Sequence, residues 1–400
     1  MSVISARTSI ARPSAAELLA RAREIAEVVR GRAQQTEADR RVSEDIIIRM
    51  READLFRVMQ PQVYGGFEYG FDVFEPLVVT IAAGCGSSGW VYGLLGSHQW
   101  LMGCFPKLAQ DEYWANPDAL AAGAYAPSGQ GVAVDGGARY SGQWSFCSGC
   151  DNAQWIHLGA MIPDVAGVKP GFILVPAADC VIDDNWWTMG LSGTGSKNII
   201  LKDVFVPMHR TVTFADLAAG NAPGAQVHAN PTYRQSFLAV LPATIVTPVL
   251  GMAEGALASF VEMVKGRVTR GAVTGGNRRM AEFATVQQRA AEATACIDAA
   301  KLLLFRDLAE ACEAALRGDA ANVDMRLRNR RDQAFCVKLL IQAVDALFLA
   351  AGGQGLFLHH PLQRAWRDAH AAASHISLNW DSTGSMYGQY LLGLEPKGQY

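Results

Sequence analysis

Four hundred residues, half of them apolar and 18% charged, can bury a sizeable core in two or three domains, which excludes a disordered or fibrous chain. A formal net charge of −3 offers no basic surface, so neither nucleic acid nor an anionic membrane is expected as a partner. The opening stretch MSVISARTSIARPSAAELLARAREIAE has no apolar h-region and the eight cysteines are scattered, which predicts reduced thiols in a cytoplasm.

Residues 14–58 read as helical. Ser43 stands as an N-cap before EDIIIRMREADLF, with Glu44 and Asp45 at the positive end of the helix; such a cap is worth about 1 kcal/mol. PQVYGG (61–66) breaks the pattern. Helices follow over 71–84 and 87–104, the second apolar nearly all round and therefore predicted to be buried. From about 120 to 207 glycine, proline and β-formers take over. GVAVDGGARYSGQWSF reads as strand, turn and strand, with Asp135-Gly136 as the turn, and WIHLGAMI, GFILVPA and NIILKDVFV as further strands. A Gly-, Pro- and Ala-rich loop covers about 215–231. The longest apolar run, FLAVLPATIVTPVLGMA (237–253), is short for a membrane span and holds Pro242 and Pro248, so it is read as a buried helix. In 281–317, Phe283, Val286, Ala290, Ala293, Ile297, Ala300, Leu304 and Leu308 step by three and four, one stripe of a long bundle helix. Two more helices are predicted over 329–350 and 360–376. The order gives an α+β chain, mainly α: an N-terminal helical domain (1–119), a central β domain (120–214) and a C-terminal four-helix bundle with a tail (215–400).

The C-x-x-C of Cys147 and Cys150 has no second pair to complete a zinc site, and a strand rather than a helix follows it, so two small residues filling a tight turn is the favoured reading. His157, on an apparent strand, is as readily solvent-facing as buried. GLSGTG (190–195) resembles a nucleotide loop but opens a strand, so a turn between strands is expected. His98 lies in an apolar helix with Trp90, Tyr92 and Trp100; a hydrogen-bonded core histidine and a cavity-facing one stand about even. His370 and His375, five apart, would face different sides of a helix and cannot form a metal pair. The arginines 267, 270, 278 and 279 are candidates for a phosphate, or solvated bundle ends.

PQVYGG, then MGLSGTGSKNIILKDVFVP (189–207), then AGGQG followed by QRAWRDA resemble, in order and separation, the signatures of the acyl-CoA dehydrogenase superfamily over residues 15–390. The resemblance implies a helical domain, a β-barrel and a four-helix bundle, a homotetramer, and a flavin between β domain and bundle with the partner subunit completing the site. It implies that Trp144 and Tyr125 lie near the flavin ring, that Ser148 meets its N5 (with Cys147 as the fallback), and that Gly352, Gly353, Gln354 and Gly355 approach the neighbouring subunit's cofactor. Many members carry a catalytic glutamate shortly after the RDA helix, yet no Glu occurs between Arg367 and Gly388. RDAHAAASH together with SGWVYGLLGSHQW is instead similar to the flavin-dependent monooxygenase branch, the oxygenase components of two-component aromatic hydroxylases. That branch implies reduced flavin (FMNH2 or FADH2) delivered by a separate NAD(P)H-flavin reductase, O2, a C4a-hydroperoxyflavin and a small phenolic or indolic substrate. His375 would then be base or hydrogen-bond partner of the substrate oxygen, with His98, Trp90 and Ser128 shaping the pocket. An acyl-CoA dehydrogenase-type flavoprotein, an N- or S-oxygenase on the same scaffold, and a flavin-binding protein without turnover are the alternatives.

Overall fold

The computed structural model describes residues 12–165, 167–270, 277–319 and 322–400. The first helix, α1 (Ala15–Asp39), begins at a capping box the sequence reading passed over: Ser14 accepts from the Glu17 N–H while the Glu17 carboxylate accepts from the Ser14 N–H. It stops at Arg40, whose φ of 52° is left-handed, so the predicted 14–58 helix is two, with α2 over Glu44–Glu52. Ser43 occupies the N-cap position, but its hydroxyl binds the Asp45 carboxylate (2.6 Å) and no backbone N–H.

Two core helices follow, α3 (Phe71–Gly84) and α4 (Gly86–Cys104), then the short α5 (Lys107–Tyr113). Every residue of α4 except Leu94 is buried, as its all-round apolar character requires. Seven strands come next: β1 (Ala121–Val134), β2 (Gly137–Cys147), β3 (Trp155–Asp164), β4 (Gly167–Pro176), β5 (Val181–Asp183), β6 (Lys197–Pro207) and β7 (Thr211–Thr213). They form one sheet in the order β5-β6-β2-β1-β3-β4-β7, with β1 and β3 parallel and the other pairs antiparallel. The resemblance implies a barrel; the described strands pair as one sheet whose edge strands, β5 and β7, are three residues each. The β1–β2 hairpin turns at Asp135-Gly136 as predicted, Gly136 supplying φ 74°.

Short helices α6 (Phe214–Ala219) and α7 (Phe237–Val240) lead into α8 (Ala243–Gly266). The 237–266 stretch is 83% buried over its most apolar window, which bears out a core helix. After a two-stranded ribbon, β8 (Val268–Arg270) and β9 (Asn277–Arg279), come α9 (Ala284–Arg317), α10 (Val323–Ala351), α11 (Pro361–Ala373) and α12 (Trp380–Leu391). The predicted stripe of α9 faces inward: Ala293, Ile297, Ala300, Leu304 and Leu308 are all buried. Asn322 caps α10 six residues earlier than read, accepting from the Met325 N–H. The last helix, α12, was not predicted, because its Gly384, Gly388 and serines are weak helix formers; Asn379 starts it by accepting from the Ser382 N–H. The helices α3, α4 and α8 pack on one another, and α8 packs in turn on α10 and α11, so α4 lies between sheet and bundle.

Candidate active site

Strands β2 and β6 pair with Cys147 opposite Lys197, and the register slips between Trp144 and Cys147. The slip is a bulge centred on Phe146, a non-glycine residue at φ 67°. It breaks the in-out alternation of the strand: Phe146 is left 67% exposed while Cys147 and Ser148 both turn inward. The 191–196 loop docks against this bulge, the Gly149 N–H donating to the Thr194 carbonyl (2.9 Å). The same loop is tied to the bundle by the Leu191 N–H, which donates to Asp368 Oδ1 of α11 (2.6 Å).

Ser148 is 5% exposed. Its hydroxyl accepts from the indole N–H of Trp90 (3.2 Å) and lies 2.6 Å from Ser196 Oγ; Ser196 is in turn 2.6 Å from Thr194 Oγ1, which donates to the Leu191 carbonyl (2.8 Å). Trp90, projected from α4, also faces His375, with ring centroids 6.1 Å apart. His375 does not sit on a helix, as read from the sequence. It follows the end of α11 and caps the turn Ile376–Leu378, its Nδ1 accepting from the Ser377 N–H (3.1 Å). In a neutral ring the proton then rides on Nε2, so the other edge of the imidazole is a donor. Burial, with the nearby Arg330 guanidinium second, pushes His375 down to about 4, so the neutral form holds at pH 7.

Arg330 on α10 escaped the sequence reading. It is 6% exposed, donates to Gln333 Oε1 (2.8 Å) and to the Ser377 carbonyl (3.1 Å), and its Nε has no partner. Burial pushes it down to about 10, and it faces both Tyr125 and His375. Its signal was available: a cation within RNRRDQ on a helix otherwise committed to the bundle core. Thr194 and Ser196 were missed because GLSGTG does form a turn between strands, and the β2–β6 register that brings its hydroxyls to Ser148 is a long-range property.

The other sequence-predicted residues are more dispersed. His98, two turns beyond Trp90 on α4, is buried with Nδ1–H donating to the Ala121 carbonyl (2.7 Å), and burial lowers it to about 4. Its ring meets His157 edge-on at 4.2 Å; His157 is itself buried against Phe172, not solvent-facing, and burial holds it well below its ordinary value. Trp144 lies inside the sheet, donating to the Gly159 carbonyl (2.6 Å) over Gly129, where a Cβ would come within 2.2 Å of the indole. Ser128 is exposed on β1 and donates to the Gln143 carbonyl (3.3 Å). Tyr125 stacks with Phe214 and Phe237 (centroids 4.8 and 5.8 Å), and its hydroxyl donates to Gln399 (3.1 Å). Gly352, Gly353 and Gln354 are exposed in a turn after α10, with Gly355 buried; the exposed Leu349, Leu356, Phe357 and Leu358 surround them. Arg267 donates to the Ala351 carbonyl beside this turn (2.6 Å), Arg279 pairs with Glu282, and the Arg270 side chain lies outside the described residues. The thiols of Cys147 and Cys150 are free and buried; their mutual hydrogen bond, then burial, raises Cys147 well above the ordinary thiol range, which makes it a poor nucleophile. His370 stacks on Trp366 of its own helix at 4.2 Å and donates to its carbonyl. A cleft of about 250 Å³ opens on the far side of the α4 N-terminus, with Arg30, Met252, Arg364 and Asp368 among its lining.

Helices, a seven-stranded sheet and a C-terminal helical bundle in this order are the acyl-CoA dehydrogenase fold, and residues 243–380 match the family described as "Acyl-CoA dehydrogenase, C-terminal domain". The whole chain is 47% identical, over 96% of each sequence, to the FADH(2)-dependent resorcinol hydroxylase oxygenase component of Rhizobium sp. (strain MTP-10005). It is 38% identical to the flavin-dependent monooxygenase oxygenase subunit HsaA of Rhodococcus jostii (strain RHA1), over 92% of this chain and 96% of that one. In structure it is similar to 3-HSA hydroxylase from Rhodococcus sp. RHA1 (TM-score 0.90, 35% identity, 96% and 98% covered) and to XiaF from Streptomyces sp. in complex with FADH2 and glycerol (0.88, 29%, 96% and 97%). The chain belongs to the oxygenase components of flavin-dependent monooxygenases.

Proposed function

We propose that this oxygenase hydroxylates a small phenol, taking FADH2 from a separate NAD(P)H-flavin reductase and O2 from solution. The observation that carries the reading is the Ser148–Trp90–His375 constellation: a fixed hydroxyl and a neutral imidazole donor on either side of one indole. The residues fit a flavin. The buried Ser148 hydroxyl lies beside an exposed apolar rim, Phe146 and Ile376, which a flat heterocycle would cover. Names of relatives support the cofactor and substrate class: one is a FADH(2)-dependent resorcinol hydroxylase, and XiaF binds FADH2.

Reduced flavin supplies the electrons that activate O2, one oxygen atom passing to the ring and the other leaving as water. The protein supplies the surroundings. Ser148 would meet N5 of a bound flavin and accept a hydrogen bond from its proton. Trp90 walls the substrate side and keeps water out. His375, kept neutral by burial and by Arg330, would donate its Nε2–H to the substrate oxygen and so favour binding of the phenol as its phenolate, the more electron-rich form, its proton lost to solvent on binding. This narrows the sequence-based expectation for His375 to a donor. In this reading His98, Ser128 and Tyr125 would shape the rest of the substrate pocket. The exposed leucines and Phe357 around Gly352–Gly355 support a homotetramer in which this turn reaches the neighbouring subunit's flavin. The scattered cysteines, all free, support a reducing compartment, the cytoplasm.

The test mixes the protein with photoreduced FAD, oxygenated buffer and a series of dihydroxybenzenes, and measures product and H2O2 per flavin oxidised. Hydroxylated product exceeding peroxide is expected, with His375→Ala shifting the balance to peroxide while flavin still binds. Anaerobic bleaching of bound flavin by acyl-CoA thioesters, with no product from any phenol, would refute the reading.

A further inference from the structure

The hydroxyl chain below Ser148 has only one arrangement of protons. Three oxygen–oxygen contacts, Ser148–Ser196, Ser196–Thr194 and Thr194–Leu191 carbonyl, are between 2.6 and 2.8 Å, and each needs a proton between its atoms. The three hydroxyls carry one proton each, and the carbonyl has none to give. Thr194 therefore donates to the Leu191 carbonyl, Ser196 donates to Thr194, and Ser148 donates to Ser196. Trp90 Nε1, which can only donate, takes one of the two lone pairs on Ser148. What Ser148 can still offer is a single lone pair and no proton.

The chain is well insulated from rearrangement. Ser148, Ser196 and Thr194 are all buried, and the loop that carries the last two is fastened at both ends, by the Gly149 N–H to the Thr194 carbonyl and by Asp368 to the Leu191 N–H. Water cannot easily supply an alternative partner and rotate the series.

We infer that Ser196 and Thr194 are positioning residues that fix the Ser148 hydroxyl as an acceptor, so that the site selects a flavin bearing a proton on N5 over one that does not. The inference rests on the proposed contact between Ser148 and N5. In reduced flavin N5–H is a donor and meets the free lone pair. In oxidised flavin N5 is itself an acceptor, and two lone pairs face each other with no proton between them. A neutral hydrogen bond gained or lost at one buried atom corresponds to roughly tenfold in affinity. The arrangement lets the enzyme take up its cofactor in the reduced state and let go of it once oxidised.

The test is equilibrium binding of FAD in both states, the reduced form under anaerobic conditions, to the full-length protein and its Ser196→Ala, Thr194→Val, Thr194→Ser and Ser148→Ala variants. Ser196→Ala removes the acceptor for the Ser148 proton and frees it to reach oxidised N5. Oxidised FAD is expected to bind roughly tenfold tighter to this variant than to the wild type, with reduced FAD unchanged or weaker. Thr194→Val frees the Ser196 proton to turn toward Ser148 and should move the ratio of the two affinities the same way; Thr194→Ser should restore it. General damage to the fold would weaken both states together and is thereby told apart. If Ser148→Ala weakens reduced FAD but Ser196→Ala leaves the ratio unmoved, the hydroxyl chain has no such role while the N5 contact stands. If Ser148→Ala moves neither affinity, the N5 contact fails and this inference with it.

Discussion

Glu75, in the core between α3 and α8, makes a sharp test of the same proton counting. It is fully buried, and burial pushes its carboxyl up to about 8. One carboxyl oxygen lies 2.5 Å from Thr247 Oγ1, which lies 3.0 Å from the Ala243 carbonyl; the other has no partner. Thr247 has a single proton for the two contacts, so both are filled at once only if Glu75 is protonated and donates. A group whose folded value is raised contributes its stability below its unfolded value of 4.5 and loses it as pH rises through 8. At pH 7, protonating the carboxyl for burial costs about 3 kcal/mol relative to the ionised unfolded chain. Glu75→Gln keeps the shape, replaces the donor O–H by a donor N–H, and removes that cost. The variant should therefore be more stable than the wild type by up to about 3 kcal/mol at pH 7, by more at pH 8, and by almost nothing near pH 4.5. Paired thermal melts across that pH range measure the gap. A gap that stays constant or narrows as pH rises would mean the carboxyl is ionised in the folded protein and the proton count is wrong.

Three further outcomes follow from the same structure. Gly129→Ala drives a methyl into the Trp144 indole and should cost about 1–3 kcal/mol; an unchanged melting temperature would show that the sheet yields there. Asp368→Leu leaves the Leu191 N–H without an acceptor and should cost about 1–3 kcal/mol, whereas Asp368→Asn retains an acceptor and should lose clearly less; equal losses would exclude this tie as the cause. Arg330→Gln removes a cation beside His375, so the imidazole titration followed by NMR should move up from about 4 toward its ordinary range. The rise should be partial because burial is the larger cause, and no rise at all would show that the guanidinium charge is not felt.

The legible parts of this protein were those set by local pattern. The all-round apolar α4, the stripe on α9 and the Asp135-Gly136 hairpin each follow from neighbours in sequence, and the structure has them where they were read. The boundaries that slipped are ones decided by a single dihedral or cap, such as Arg40 ending α1 and Asn322 starting α10. In the site, Trp90 and Ser148 could be named from their motifs, but their hydrogen bond could not, since it depends on a bulge at Phe146 that no residue type announces. The same holds for Tyr125: nothing near it in sequence tells that Phe214 and Phe237 will stack with its ring.

The helix α4 is apolar on every side, and its partner α8 begins about 140 residues after its own last turn. On the ribosome, α4 emerges with α3 to cover one side but long before α8 exists to cover another, so the nascent chain carries a partly uncovered apolar segment for much of its synthesis. Chaperone holding, or delayed folding until α8 is free of the exit tunnel, is built into the order in which the parts are made.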